Sequence, residues 1–158
     1  MKKFYSTLLT IIMLFLLTSC VVEKNEYYSP SQSTDQIKSI SIHYVTLDVT
    51  SDLKLGDTLA TIDSNEYESF CEELKTLLYK NRILVLPPVA QDPNLYHRGY
   101  LINIEYTNGG YDRLTRGLRS WANGDQGGTR IGYCDEEDFY NVIEKYTHID
   151  CHTEKETN

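Results

Sequence analysis

A short alternating stretch near the middle of the chain limits the fold more than any other feature. From Tyr100 to Tyr106 an apolar side chain recurs at every second position, with Leu101, Asn103 and Glu105 between, and Asn108-Gly109-Gly110 follows at once. A period of two indicates a half-buried strand, and Asn-Gly favours the positive φ angles of a tight turn. The sequence therefore predicts a β-hairpin in which residues 111–118 form the return strand.

Further strands are predicted on the same grounds. Residues 37–49 alternate with one change of phase, which indicates a bulge near Tyr44. Shorter strands are predicted over residues 58–62, 83–86 and 129–133. Together with the hairpin, these segments predict an antiparallel sheet of about five to six strands.

Two helices are predicted from apolar side chains spaced three and four residues apart. The first covers residues 64–80, where Asp63 and Glu66 have the spacing of an N-cap and its partner. The second covers residues 135–146 and starts with four acidic residues, which the helix dipole favours in a first turn. The fold class predicted is therefore α+β, with two helices packed on one face of an antiparallel sheet.

The first twenty residues have the pattern of an export signal. Two lysines precede an apolar run from Leu8 to Leu17, which is too short to cross a bilayer. The sequence Leu17-Thr18-Ser19-Cys20 that closes it resembles the lipobox of bacterial lipoproteins. The resemblance implies cleavage before Cys20 and diacylglycerol on its thiol. It also implies that this lipid anchors the chain in a membrane, either the cell membrane or the outer membrane, with the folded part outside the cytoplasm.

The domain organisation expected from these features has four parts. Residues 1–19 are a lipoprotein signal peptide, and residues 20–36 are a lipidated cysteine with a flexible polar tether. Residues 37–150 are the α+β domain, and residues 151–158 are a polar tail. The formal net charge of −8 disfavours nucleic acid as a partner, since a polyanion is repelled by an acidic chain.

Arginine is concentrated between Arg98 and Arg130, where the chain has five arginines and no lysine. Arg113, Arg116 and Arg119 lie on the predicted return strand and at its end, and Trp121, the only tryptophan, follows in a predicted glycine-rich loop over residues 120–128. Arginine and tryptophan are frequent anchors of interfaces, so these four residues are a possible binding patch for an anionic or sugar-like partner. The alternative is an ordinary solvated strand face, because Arg116 is out of step with the other two arginines.

No catalytic motif, cofactor motif or complete metal site is recognisable in the sequence. His148, Cys151 and His152 have metal-ligand chemistry but lack a visible fourth ligand, so no metal is predicted. Once Cys20 is acylated, Cys71, Cys134 and Cys151 are an odd set that cannot all pair within the chain. Cys71 is expected in the core, and Cys134 is expected to be an unreactive thiol because acidic residues follow it.

Three functions are compatible with these features. The first is a non-enzymatic lipoprotein that binds a protein or an envelope polymer. The second is an extracytoplasmic enzyme assembled from unconnected residues, with His97, Arg98 and the segment around Trp121 as candidates. The third is an inhibitor or exclusion factor that acts on a foreign enzyme or a phage component. The lack of a motif disfavours the enzyme and favours the binding or accessory protein.

Overall fold

The computed structural model describes residues 22–46, 55–83 and 98–152. Cys20, His97 and the predicted strand residues 47–49 and 84–86 lie outside the described residues. Within the described ranges the strands are β1 (Val22–Tyr27), β2 (Ile37–Thr46), β3 (Thr58–Thr61), β4 (Leu78–Ile83), β5 (Arg98–Tyr106), β6 (Tyr111–Leu114), β7 (Leu118–Asn123) and β8 (Gln126–Ile131). The helices are α1 (Tyr67–Leu74) and α2 (Glu136–Thr147), and short 3-10 turns cover Thr34–Gln36 and Ser64–Glu66.

Most strands form one antiparallel sheet of six strands in the order β3-β2-β5-β6-β7-β8. Strands β1 and β4 form a separate antiparallel pair. This architecture confirms the predicted α+β fold with an antiparallel sheet. Neither helix in the described parts of the chain is long and apolar enough to cross a membrane.

The core lies between one face of the six-stranded sheet and the two helices. Ile40 and Ile42 of β2 pair with Ile104 and Ile102 of β5, so the four side chains share a face, and all are fully buried. The helices contribute further buried residues to the same cluster, namely Phe70, Cys71, Leu74, Phe139, Val142 and Ile143. Burial of each large apolar side chain stabilises the fold by about 1.5–3 kcal/mol.

Three local predictions are confirmed by the geometry of the chain. The turn between β5 and β6 has Gly109 at φ 84°, a conformation that glycine adopts without steric cost. Helix α2 begins after Asp135, whose side chain accepts hydrogen bonds from the backbone N–H groups of Glu137 and Asp138. The predicted bulge in β2 is also present, as a register shift against β3 between Ile42 and His43.

The predicted tether is wrong for its described residues, 22–36. Residues 22–27 form β1, which pairs with β4 along its whole length, and Tyr28 is only 5% exposed. At the other end, Cys151 is buried, so the folded domain extends beyond both predicted boundaries. Polar composition did not reveal β1, because a strand gains its stability from its partner and not from its own apolar content.

The first predicted helix is shorter than expected. Its α-helical part covers only Tyr67–Leu74, and the predicted N-cap Asp63 precedes a 3-10 turn and makes no side-chain capping hydrogen bond. Leu77 and Leu78 continue the helical spacing but lie outside the helix. Leu78 begins β4, which places the side chain of Tyr79 at 0% exposure. Pairing with β1 and burial of this large ring therefore override the helical pattern of the sequence.

The segment around Trp121 is not a loop. The predicted return strand ends at Leu114, a turn follows in which the Thr115 N–H bonds the Leu118 carbonyl, and β7 begins at Leu118. Trp121 lies inside β7, paired with Asp112 of β6 and Gly128 of β8. The glycines of this region are accommodated at a tight turn, where Gly124 has a φ of 59°, and in an edge strand.

Candidate binding pocket

Strand register decides which side chains meet at the β6 to β8 end of the sheet. Asp112, Trp121 and Gly128 form one cross-strand row. Leu114, Arg119 and Arg130 form the next, and β5 continues both rows with Ile104 and Ile102. Paired residues share a face, so these polar side chains lie on the same face as the apolar core.

A pocket of about 260 Å³ lies where this polar face meets the segment that follows β1. It is lined by Tyr28, Ser29, Ser31, Asp112, Arg113, Leu114, Arg119, Ser120, Trp121 and Arg130. Leu114 is the one aliphatic residue among them. The lining is therefore suited to a polar ligand, since apolar pockets are lined mainly by hydrophobic side chains.

The carboxylate of Asp112 joins the pocket wall to the sheet. It is 3% exposed, and its Oδ2 accepts hydrogen bonds from the Tyr28 hydroxyl at 2.9 Å and the Tyr106 hydroxyl at 2.7 Å. The backbone N–H of Ser31 donates to the same oxygen at 2.7 Å. Three donors satisfy a buried carboxylate that would otherwise be very costly to remove from water.

The two phenols that donate to Asp112 remain protonated at ordinary pH. Burial, and then the neighbouring Asp112 carboxylate, raise the pKa of Tyr28 well above its usual value. Burial, and then the hydrogen bond to Asp112, raise the pKa of Tyr106 in the same way. The cluster is therefore a fixed set of hydrogen bonds that holds residues 28–31 over the sheet.

Two guanidinium groups share one carboxylate at the pocket. The Glu26 Oε2 of β1 lies 2.7 Å from the Arg130 Nη1 and 3.5 Å from the Arg119 Nη2. Arg119 is almost buried and stacks 4.4 Å from the centre of the Tyr79 ring, whereas the Arg130 side chain is 55% exposed. The pocket thus has one fixed cation and one accessible cation.

Trp121 occupies the β8 side of the pocket and is half-buried. Its six-membered ring lies over Gly128, where an added Cβ would stand 2.7 Å from Cζ2 and Cη2. The Arg130 guanidinium lies 5.3 Å from the centre of the indole, within the range of a cation–π contact. Any side chain at position 128 would displace the indole, so glycine there makes room for the tryptophan.

The structure divides the predicted patch of Arg113, Arg116, Arg119 and Trp121. Arg119 and Trp121 share the pocket face, but the Arg113 guanidinium stacks 4.2 Å from the Tyr111 ring on the opposite face and donates to Asn103. Arg116 lies in the turn between β6 and β7 and forms an ion pair with Glu136. The even spacing of Arg113 and Arg119 predicts that they share a face of one strand. They lie on opposite faces, because the turn over residues 115–117 divides the segment into two strands and changes the register.

Several pocket residues were missed in the sequence. Arg130 belonged to the arginine-rich segment but was not placed in the predicted patch, and Glu26, Tyr28 and Ser31 were assigned to the tether. Glu26 is separated from Arg130 by 104 positions, and Tyr28 from Asp112 by 84. Contacts over such separations leave no local signal in the sequence. The segment itself shows only acidic residues and tyrosines among its other polar side chains.

The three described cysteines, Cys71, Cys134 and Cys151, are buried, and none of them forms a disulfide. Burial raises the pKa of Cys71 to about 11 and that of Cys134 to about 12, with Asp138 and Asp135 as the next contributions at Cys134. Burial, then Glu144, raises the pKa of Cys151 to about 12. These values are typical of unreactive thiols at neutral pH.

The histidine and cysteine residues near the C-terminus do not converge. His148 is the exposed C-cap of α2, whereas Cys151 is buried and His152 contacts the Tyr140 ring edge-on. Within the described ranges, no group of three or more potential ligands could hold a metal ion. The buried His43 is also remote from the pocket, on the opposite face of the sheet.

Comparison with known proteins gave no match for this chain. No protein-family model matches the chain, and no curated protein or solved structure is significantly similar to it. The pocket is therefore characterised by its own residues and geometry.

Proposed function

We propose that this chain is a lipid-anchored extracytoplasmic binding or accessory protein whose ligand occupies the pocket between residues 28–31 and the β6 to β8 face. The single observation that supports it best is the convergence of Trp121, Arg119 and Arg130 at one pocket. Tryptophan and arginine combine large contact area with directional hydrogen bonding, which suits recognition. The lipid anchor rests on the sequence resemblance at Cys20.

The chemistry of the pocket favours binding over catalysis. Asp112 already accepts three hydrogen bonds through one oxygen, so it is poorly placed to exchange protons with a substrate. His43 is engaged on the other face, where its Nδ1 donates to the Gly56 carbonyl and its Nε2 accepts from Ser41. Asp112 and His43 thus serve structural hydrogen bonds.

The anchor and the pocket are close along the chain. Only Val21 separates Cys20 from β1, and the six residues of β1 span about 20 Å at 3.3 Å per residue. Residues 28–31 follow at the far end of that strand. Lipidation at Cys20 would therefore limit the pocket to ligands at or near the membrane surface, such as a membrane-bound protein or an envelope polymer.

Metabolic labelling tests the anchor. Cells that express the full chain are grown with labelled palmitate, and the wild type is compared with Cys20→Ala. Label is expected in the wild type alone, because the thiol of Cys20 is the acylation site that the lipobox resemblance implies. Equal label in both proteins would refute acylation at Cys20 and remove the anchor from the proposal.

Capture from the native envelope tests the pocket. The immobilised full chain is incubated with solubilised envelope, and bound material is compared among wild type, Trp121→Ala, Arg130→Gln and Arg116→Gln. Arg116→Gln is the matched control, since this arginine lies outside the pocket. We expect wild-type capture by the control and loss of capture by the two pocket variants. Equal capture by all four proteins would refute the pocket as the binding site.

A further inference from the structure

We infer that Arg119 and Arg130 form an anion subsite, which the carboxylate of Glu26 occupies in this structure, and that the pocket binds one sugar ring bearing a carboxylate or a phosphate. This inference rests on the proposed function and names the ligand class. The evidence for the subsite is that the two guanidinium groups already bind a carboxylate oxygen, the Glu26 Oε2, at 3.5 and 2.7 Å. An incoming anion of similar geometry would compete with Glu26 for these groups.

The accessible member of the pair is Arg130. Its side chain is 55% exposed, compared with 10% for Arg119, so a ligand reaches Arg130 first. Its guanidinium is also 5.3 Å from the centre of the Trp121 ring. A charged group bound to Arg130 therefore lies beside the indole, and the rest of the ligand lies where it can pack on that ring.

The size and lining of the pocket restrict the remainder of the ligand. A volume of about 260 Å³ is below the range of about 300–1,000 Å³ that is typical for drug-sized ligands. Hydroxyl-bearing residues Ser29 and Ser31 lie around it. A compact ring with several hydroxyl groups matches both properties, whereas a large apolar ligand matches neither.

Charge also favours an anion over a neutral sugar. The chain has a formal net charge of −8, yet the pocket face carries two arginines, Arg119 and Arg130, and one buried acidic residue, Asp112. Asp112 is satisfied by its three donors, and Glu26 is the counter-ion that a ligand would replace. The local field at the pocket mouth is thus more positive than the chain average.

Fluorescence of the single tryptophan provides the test, with excitation on the red edge of the indole band, where the thirteen tyrosines absorb little and the signal comes from Trp121. The full chain in detergent is titrated with glucuronate, a hexose monophosphate, glucose and inorganic phosphate. We expect saturable binding of glucuronate, the hexose monophosphate or both, about tenfold or more tighter than that of glucose and inorganic phosphate. The comparison of glucuronate with hexose monophosphate identifies the preferred anion.

Variants assign the anion to its subsite. Arg130→Gln is expected to weaken binding by about tenfold or more, and Arg130→Lys to retain an intermediate affinity because charge persists without the planar guanidinium. Glu26→Gln is expected to tighten binding, because it removes the competing carboxylate. A purely structural Glu26 would lower the melting temperature without raising affinity. Arg116→Gln is the control and should bind as the wild type does.

Several outcomes would overturn the inference. Glucose that binds as tightly as the charged sugars would exclude an anion requirement, and inorganic phosphate that binds as tightly as the hexose monophosphate would exclude a sugar requirement. Unchanged affinity in Arg130→Gln or Glu26→Gln would remove the subsite. If none of the probes binds while envelope capture still depends on Trp121, the ligand class is wrong and the proposed binding function stands.

Discussion

The two halves of one sheet face are stabilised in different ways. At β2 and β5 the face carries fully buried isoleucines under two helices, so its stability comes from removing apolar surface from water. At β6 to β8 the same face carries Asp112, Arg119, Trp121 and Arg130 under residues 28–31, and specific hydrogen bonds and ion pairs hold it together. The apolar half gives the fold its stability, whereas the polar half leaves a pocket that water and ligands can enter.

The two halves also differ in the substitutions that they tolerate. A non-directional apolar core accepts volume-conserving substitutions, but it does not accept a charge. The polar half depends on matched donors and acceptors, so one altered atom leaves a partner unsatisfied even where shape is conserved. Substitutions chosen for charge, hydrogen bonding and size should therefore have different effects in the two halves.

The largest expected effect is that of a charge placed in the apolar half. Cys71 is 0% exposed on α1, so Cys71→Asp should lower the free energy of unfolding by more than about 4 kcal/mol, because an unpaired charge would be buried. Cys71→Ala should cost about 1 kcal/mol through lost packing alone. Urea unfolding of both variants is the measurement. Equal stability of the two would show that this face of α1 is accessible to water.

The next effect concerns hydrogen bonding in the polar half. Asp112→Asn keeps the shape of the side chain but removes its negative charge, so the three donors at Oδ2 lose charge-assisted hydrogen bonds and meet a neutral amide in their place. We expect a loss of about 2–3 kcal/mol in urea unfolding. Asp125→Asn, in the exposed turn between β7 and β8, is the control and should change little. An Asp112→Asn variant that is as stable as the wild type would mean that the hydrogen bonds to Asp112 do not hold residues 28–31 in place.

A smaller loss of stability is expected at the pocket itself. Trp121 is half-buried, so Trp121→Ala should cost about 1–2 kcal/mol and not the roughly 3–5 kcal/mol of a fully buried aromatic residue. Thermal unfolding measures the change, and envelope capture should be lost in the same variant. A loss of about 3–5 kcal/mol would show that Trp121 is part of the apolar core. The two halves of the face would then not differ at this residue.

The smallest effect is the dependence of stability on alkaline pH. The pKa of Cys134 is raised from 9.0 to about 12 in the folded chain, so its contribution is fully present below about pH 9 and is lost as pH rises towards 12. The pocket phenols have an ordinary pKa of 10.0, so their loss begins later. The wild type should therefore melt at a lower temperature at about pH 10 than at about pH 8.

Replacement of the thiol checks that assignment. Cys134→Ala removes the titrating group, so its melting temperature should fall less between the same two pH values than that of the wild type. A fall of equal size in both proteins would assign the alkaline loss to other groups, of which the buried thiols of Cys71 and Cys151 are the first to examine.

The site was partly predictable from sequence. The arginine and tryptophan composition of residues 113–121 drew attention to the strand that carries Arg119 and Trp121. The prediction of a loop around Trp121 is wrong. Pairing with β6 on one side and β8 on the other holds this glycine-rich segment as strand β7. Residues 28–31 and Glu26 were missed because their partners are far away in the chain.

The sequence by itself determined those elements whose signals are local. The turn at Asn108 and Gly109 and the cap at Asp135 depend on backbone conformation and on hydrogen bonds within a few residues, so neighbouring residues suffice to specify them. Tertiary structure decided the end of α1, the pairing of β1 with β4, and the faces of Arg113 and Arg119. These depend on strand partners and register, which are set by burial and pairing between segments far apart in the chain.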